Sequence, residues 1–139
     1  MNFELTPYIM LDGKAKDAIE FYKLALGAEV VFMQTFGDAP SGPEAALPAE
    51  DKGRVAHSVL KVGDGKLFVA DVLPGQPNRE GNRVSLCLTA NDAEEAQALF
   101  DALRQDGQVD FPLQEVYFSP AYGQVTDRFG VVFQIFTKR

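Results

Sequence analysis

The chain closes on Tyr122-Gly123-Gln124-Val125-Thr126-Asp127-Arg128-Phe129-Gly130-Val131-Val132-Phe133-Gln134-Ile135-Phe136, and the fold follows from how this stretch is read. Two strand-like runs flank Asp127-Arg128-Phe129-Gly130, a turn in which Gly130 supplies the positive φ that closes a hairpin. The last run is β-branched and aromatic on both faces except at Gln134, which predicts a strand covered on both sides. Period-2 geometry puts Val132, Gln134 and Phe136 on one face and Val131, Phe133 and Ile135 on the other. An amide has two donor hydrogens and an acceptor to satisfy, so its burial without partners is unfavourable. Gln134, with Gln124 across the hairpin, is therefore a candidate pocket wall.

A similar hairpin occurs earlier in the chain. Arg54 to Val62 and Lys66 to Val72 read as strands around Gly63-Asp64-Gly65. With those three residues as the loop, Val62 pairs with Lys66 and His57 lies across from Asp71. Each hairpin is preceded by a strand, an amphipathic helix and another strand. Phe3 to Leu11 is the first strand, and a helix with stripe Ala15, Ala18, Ile19, Tyr22 and Leu26 follows, capped by Asp12 and stopped at Gly27. Ala28 to Phe36 is the next strand. In the second half, Arg83 to Thr89 is a strand, and Asn91 with Glu94 opens a helix with stripe Ala93, Ala96, Leu99, Phe100 and Leu103. Gly107 ends that helix, and Val109 to Phe118 is mixed strand broken by Pro112. The order is βαβββ twice, and Ala18 and Tyr22 match Ala96 and Phe100, as Gly65 to Val69 match Gly130 to Gln134. The fold class is α+β, a single domain of two βαβββ modules, about 1–73 and 83–139, with a turn-rich connector at 74–82. Residues 37–53, carrying Pro40, Pro43 and Pro48, form a long loop of the length used for lids or harmless insertions.

At 139 residues the chain is long enough to bury a core without metals or disulfides. One cysteine, Cys87, excludes an intramolecular disulfide, and with a single histidine it rules out multi-Cys/His zinc sites within one chain. A net charge of −7 argues against nucleic acid and anionic membranes, which need a basic surface. The N-terminus carries no basic segment followed by an apolar core, and no apolar run approaches a membrane span, so a cytoplasmic protein is expected.

Pro7-Tyr8-Ile9, Ala18-Ile19-Glu20-Phe21-Tyr22, Gly27-Ala28-Glu29-Val30, His57-Ser58-Val59-Leu60, Pro112-Leu113-Gln114-Glu115 and Tyr122-Gly123 through Gln134 together resemble the vicinal oxygen chelate superfamily of glyoxalases, bleomycin-resistance proteins and extradiol dioxygenases. Within it the chain is most similar to the PhnB-like group, some members of which carry the label 3-demethylubiquinone methyltransferase-like. The resemblance covers essentially the whole chain. It implies two modules whose mixed sheets curl into a glyoxalase-like cup around a ligand cavity, commonly in a homodimer. Metal-dependent members hold a divalent ion with one ligand from the first and last strand of each module. Aligned through the helix motif, the repeat and Gly130, those positions here are Pro7, Val69, Ser85 and Gln134. Proline and valine have no ligating side chain and serine is a poor ligand, whereas a hard cation needs charged oxygens, so no metal site is expected. No Gly-rich strand-to-helix turn suits S-adenosylmethionine, and no cofactor is expected.

Placed by this resemblance, Val69 faces the cup and Leu67 and Asp71 share its face. A carboxylate beside an imidazole orients it and favours its charged form, which makes His57 and Asp71 the candidate catalytic pair. The repeat puts Tyr122 in the place of His57 and Phe136 in that of Asp71. Ser85 and Cys87 alternate with Val84, Leu86 and Leu88 and so line the cup floor. The candidate ligand-binding residues are then Gln134, Gln124, Tyr122, Ser85, Cys87, Val69, Leu67 and Phe136, with Tyr117 and Phe118 placed to stack on an aromatic ligand. The leading reading is a metal-free, homodimeric small-molecule-binding protein that sequesters or senses its ligand. The alternatives are an enzyme using His57 and Asp71 on a small oxygenated substrate, and a structural or partner-binding module.

Overall fold

The structure is a computed structural model that describes residues 1–39 and 41–139, with no side chain described at Pro43. Its contacts divide the chain into two units, Met1–Arg79 and Glu80–Arg139. Each unit is a four-stranded mixed sheet with one helix, so the chain is α+β and built of two similar modules.

The first module runs β1 (Tyr8–Leu11), α1 (Ala15–Leu26), β2 (Glu29–Thr35), β3 (Val55–Val62) and β4 (Gly65–Asp71). Its sheet order is β1-β4-β3-β2, with β1 parallel to β4 and the other pairs antiparallel. The helix buries Ala15, Ala18, Ile19, Phe21 and Tyr22. Burying a side chain the size of Ile19 contributes about 2 kcal/mol. Leu26, expected on the buried stripe, is the last residue of α1 and only half-buried; Gly27, at φ 64°, ends the helix with its N–H donating to Tyr22 O. The loop from 37 to 53 contains short 3-10 turns at Pro43–Ala46 and Ala49–Asp51, following another at Phe36–Asp38. Pro40, one of the three prolines that mark the loop in the sequence, lies outside the described residues.

The second module runs β5 (Leu86–Ala90), α2 (Ala93–Leu103), β6 (Gln108–Val116), β7 (Ser119–Thr126) and β8 (Val132–Thr137), in the sheet order β5-β8-β7-β6. Gly130, at φ 84°, closes the last hairpin, and Asp127 accepts from the N–H groups of Phe129 and Val131. Pro112 does not break β6, because β6 is an edge strand where a missing N–H is tolerated.

The helix caps differ from expectation. Asp12 does not cap α1; its carboxylate pairs with Arg54 at 2.7 Å. The cap comes from the far end of β4, where Asp71 Oδ1 accepts from Gly13 N (2.8 Å) and Ala15 N (3.1 Å). At α2 the box shifts by one residue, with Asp92 accepting from Glu95 N and Glu95 accepting from Asn91 N.

Candidate functional site

In each module one face of the sheet carries the helix and the other is open, and strand register decides which side chains reach the open face. In the first hairpin the loop is Gly63-Asp64, two residues rather than three, with Gly63 at φ 54° and Val62 opposite Gly65. That one-residue difference inverts every expectation built on the longer loop. Leu60 opposes Leu67 and both are buried, and Val69 and Asp71 share their face. Leu67 and Val69 therefore pack on the helix side and do not line the open face. His57 lies with Val59 and Phe68 on the opposite face from Asp71, so the two do not form a pair. Asp71 is 3% exposed, and its other oxygen accepts from Val55 N at 3.0 Å. Its three backbone donors make it a structural tie among β4, β3 and the start of α1.

His57 instead meets Tyr8, whose phenol oxygen lies 2.8 Å from His57 Nδ1. Phe68 stands edge-on to the imidazole with ring centres 4.9 Å apart, and Phe32 lies 6.1 Å away on its other neighbour strand. Burial raises the Tyr8 phenol above its ordinary pKa. Sequence reasoning missed Tyr8. The signal available was alternation within Tyr8–Leu11, which separates Tyr8 and Met10 from the buried Ile9 and Leu11.

In the second module the open face holds a continuous polar chain. Tyr122 Oη donates to Gln134 Oε1, and Gln134 Nε2 donates to Gln124 Oε1 at 2.6 Å. Gln124 Nε2 donates in turn to Asp110 Oδ2 at 3.3 Å, and Thr126 Oγ1 donates to the same oxygen at 2.6 Å. Aromatic rings border the chain. Phe118 lies 5.0 Å from Tyr122 and stacks on Phe136, and Phe111 lies 5.7 Å from Tyr122. Cys87 opposes Gln134 in register and is exposed, whereas Ser85 precedes β5 and is half-buried. Val84, expected to face the helix, is 82% exposed because β5 begins only at Leu86.

The two modules superpose in register through matching backbone bonds, Val72 N to Leu11 O and Lys138 N to Ala90 O. By that match Tyr8 corresponds to Cys87, Phe68 to Gln134 and His57 to Tyr122. Tyr122 thus takes the place of His57, whereas Phe136 answers to Ala70 rather than to Asp71, whose own counterpart is Thr137.

The whole-chain comparisons agree with this architecture. The sequence model of the family described as 3-demethylubiquinone-9 3-methyltransferase matches residues 3–136. The chain belongs to that family. It is 31% identical to protein PA1353 from Pseudomonas aeruginosa, with a TM-score of 0.86 over 99% of this chain and 98% of that one. A PhnB protein from Bacillus cereus, described as a putative 3-demethylubiquinone-9 3-methyltransferase, is 25% identical with a TM-score of 0.79 over 98% and 100% of the two chains. In fold alone the likeness extends to a glyoxylase/bleomycin resistance protein/dioxygenase domain from Frankia sp. EAN1pec, 11% identical with a TM-score of 0.69 over 100% and 94%. The chain is thus PhnB-like by family and shares, in fold alone, the architecture of the glyoxalase and bleomycin-resistance proteins.

The groups implied by the family and superfamily names do not fit the residues present. A methyl-donor cofactor of the nucleoside type is commonly cradled by a Gly-rich strand-to-helix turn whose N–H groups are free. Here the turn into α1 gives its Gly13 and Ala15 N–H groups to Asp71, and the turn into α2 gives those of Glu95 and Asn91 to Asp92 and Glu95. Of the four positions that the resemblance implies for a metal, Val69 is buried on the helix face, and Pro7, Ser85 and Gln134 offer no charged oxygen. Among the described residues, no three His, Cys, Asp or Glu side chains are grouped to hold a metal ion.

Proposed function

We propose that this chain is a small-molecule-binding protein that sequesters or senses an organic ligand without a metal, and that it works as a cytoplasmic homodimer. The observation that carries this reading is the Tyr122–Gln134–Gln124–Asp110 chain on the open face of the second module, bordered by Phe111, Phe118 and Phe136. Gln134 is half-buried and uses one amide hydrogen and one lone pair within the chain, leaving one of each for a ligand. Few polar groups in an aromatic surround are what an organic ligand site needs for orientation and affinity. Cys87, across from Gln134, completes the same face.

Two measurements test the reading. Metal analysis of the purified protein is expected to find no stoichiometric divalent ion, and finding one would overturn it. A thermal-shift screen against small oxygenated metabolites should find a stabilising compound whose effect is lost in Gln134→Leu. An unchanged response in that variant would remove Gln134 from the site.

A further inference from the structure

The first module carries a second constellation that the polar chain of the other module does not use. The Tyr8 phenol and His57 Nδ1 are hydrogen-bonded on the open face, with Phe68 edge-on to the imidazole and Phe32 beside it. A phenol is a far better proton donor than acceptor, and an imidazole nitrogen is the stronger base of the two. Partial desolvation raises the pKa of the phenol, which favours the same donor role. Tyr8 therefore donates and Nδ1 accepts, and the hydrogen bond at one ring nitrogen decides the state of the other. In neutral His57 the ring proton then sits on Nε2, leaving an N–H donor with no partner among the described residues.

We propose that His57 Nε2–H, its tautomer set by Tyr8, is a hydrogen-bonding anchor for the acceptor oxygen of a ligand with a planar, apolar body, an aryl or unsaturated carbonyl compound. Phe32, Phe68 and Val59 share the face of His57 and offer that body an apolar, ring-lined surface. Tyr8 acts through His57 as a positioning residue. The matching position in the second module holds Tyr122, which donates to Gln134, so the two open faces present different chemistry from equivalent places. This inference rests on the small-molecule reading and extends it to the other module.

His57 is the chain's single histidine, so a long-range proton–nitrogen NMR spectrum of labelled protein shows one imidazole. In neutral solution the wild type is expected to show the Nε2–H tautomer, and Tyr8→Phe a mixture of both. Acetophenone, an acceptor without a donor, should move the Nε2 resonance, whereas benzylammonium should not. His57→Phe should weaken acetophenone binding about tenfold, the worth of one neutral hydrogen bond. An Nδ1–H tautomer in the wild type overturns the proposal. So does acetophenone moving the side-chain amides of Gln134 and Gln124 but not His57, a result that leaves the small-molecule reading standing. Acetophenone moving neither overturns the acceptor-oxygen assignment, while the metabolite screen decides the broader reading separately.

Discussion

The Asp71 carboxylate, 3% exposed, makes three bonds to backbone N–H groups from two other segments. Removing it strands three donors. Asp71→Ala should lower unfolding stability by about 2–4 kcal/mol and Asp71→Asn by roughly half of that, read from denaturant midpoints. If Asp71→Ala were as stable as the wild type, the tie would carry no weight. Tyr8 gives a pH signature. Its folded pKa is raised above the ordinary value of 10.0 by burial, so its contribution to stability is complete below that value and is lost as pH rises through the folded pKa. The thermal midpoint of the wild type should therefore fall more steeply above about pH 10 than that of Tyr8→Phe. Equal slopes would show that the phenol ionises alike in both states. These residues also show where sequence reading reached its limit. Gln134, Gln124 and Tyr122 were legible as neighbours because a hairpin whose turn is marked by Asp127 and Gly130 brings them together by local counting. The bond between Tyr8 and His57 joins residues 49 apart across a third strand, and no local pattern reports such a contact.

At the level of elements, helices and hairpins were readable because each has a period and a stop signal, as Gly27 and Gly130 show. Register was not readable in the first hairpin, because Gly63-Asp64-Gly65 permits either a two- or a three-residue loop. The observed choice puts a positive φ on Gly63, the first central position of a two-residue turn. One residue of loop length took Asp71 off the face of His57, while Leu67 and Val69, placed on the ligand face by resemblance, lie buried with Leu60 on the helix face. Close approach of backbones, rather than a torsion, constrains another glycine. A Cβ at Gly107 would lie 2.5 Å from Thr126 O and 3.1 Å from Asp127 Cα, both backbone atoms that cannot step aside cheaply. Gly107→Ala should destabilise the second module by about 1–3 kcal/mol. Gly81→Ala, with nothing within 4 Å, should leave the midpoint nearly unchanged. Similar losses from both variants would show that the close approach at Gly107 is not what sets its cost, since chain entropy alone favours Ala over Gly.

Across the whole molecule, the surface that stands out is β2. Among the described residues it is an edge strand paired with β3, and Val30, Val31 and Met33 are exposed beside the His57-facing Phe32, Val31 at 63%. Leu24, on α1 in the same module, is 88% exposed. Edge strands are ordinarily protected by proline, inward-pointing charge or brevity, because their free N–H and C=O groups template pairing with another chain. This strand is seven residues long and has bulges at Val30/Phe32 and Gln34/Thr35, but neither proline nor lysine. An apolar run of that kind is stable in water when a partner covers it, and the proposed homodimer supplies one without a second gene product. Light scattering should therefore give twice the chain mass of 15.2 kDa for the wild type. Val31→Lys with Met33→Glu should shift the protein to monomer while leaving its circular dichroism intact, since neither side chain is part of the buried core. A wild-type monomer would remove the homodimer from the proposed function. A dimer that survives both substitutions would move its interface away from β2, and the exposed strand would then need a different partner.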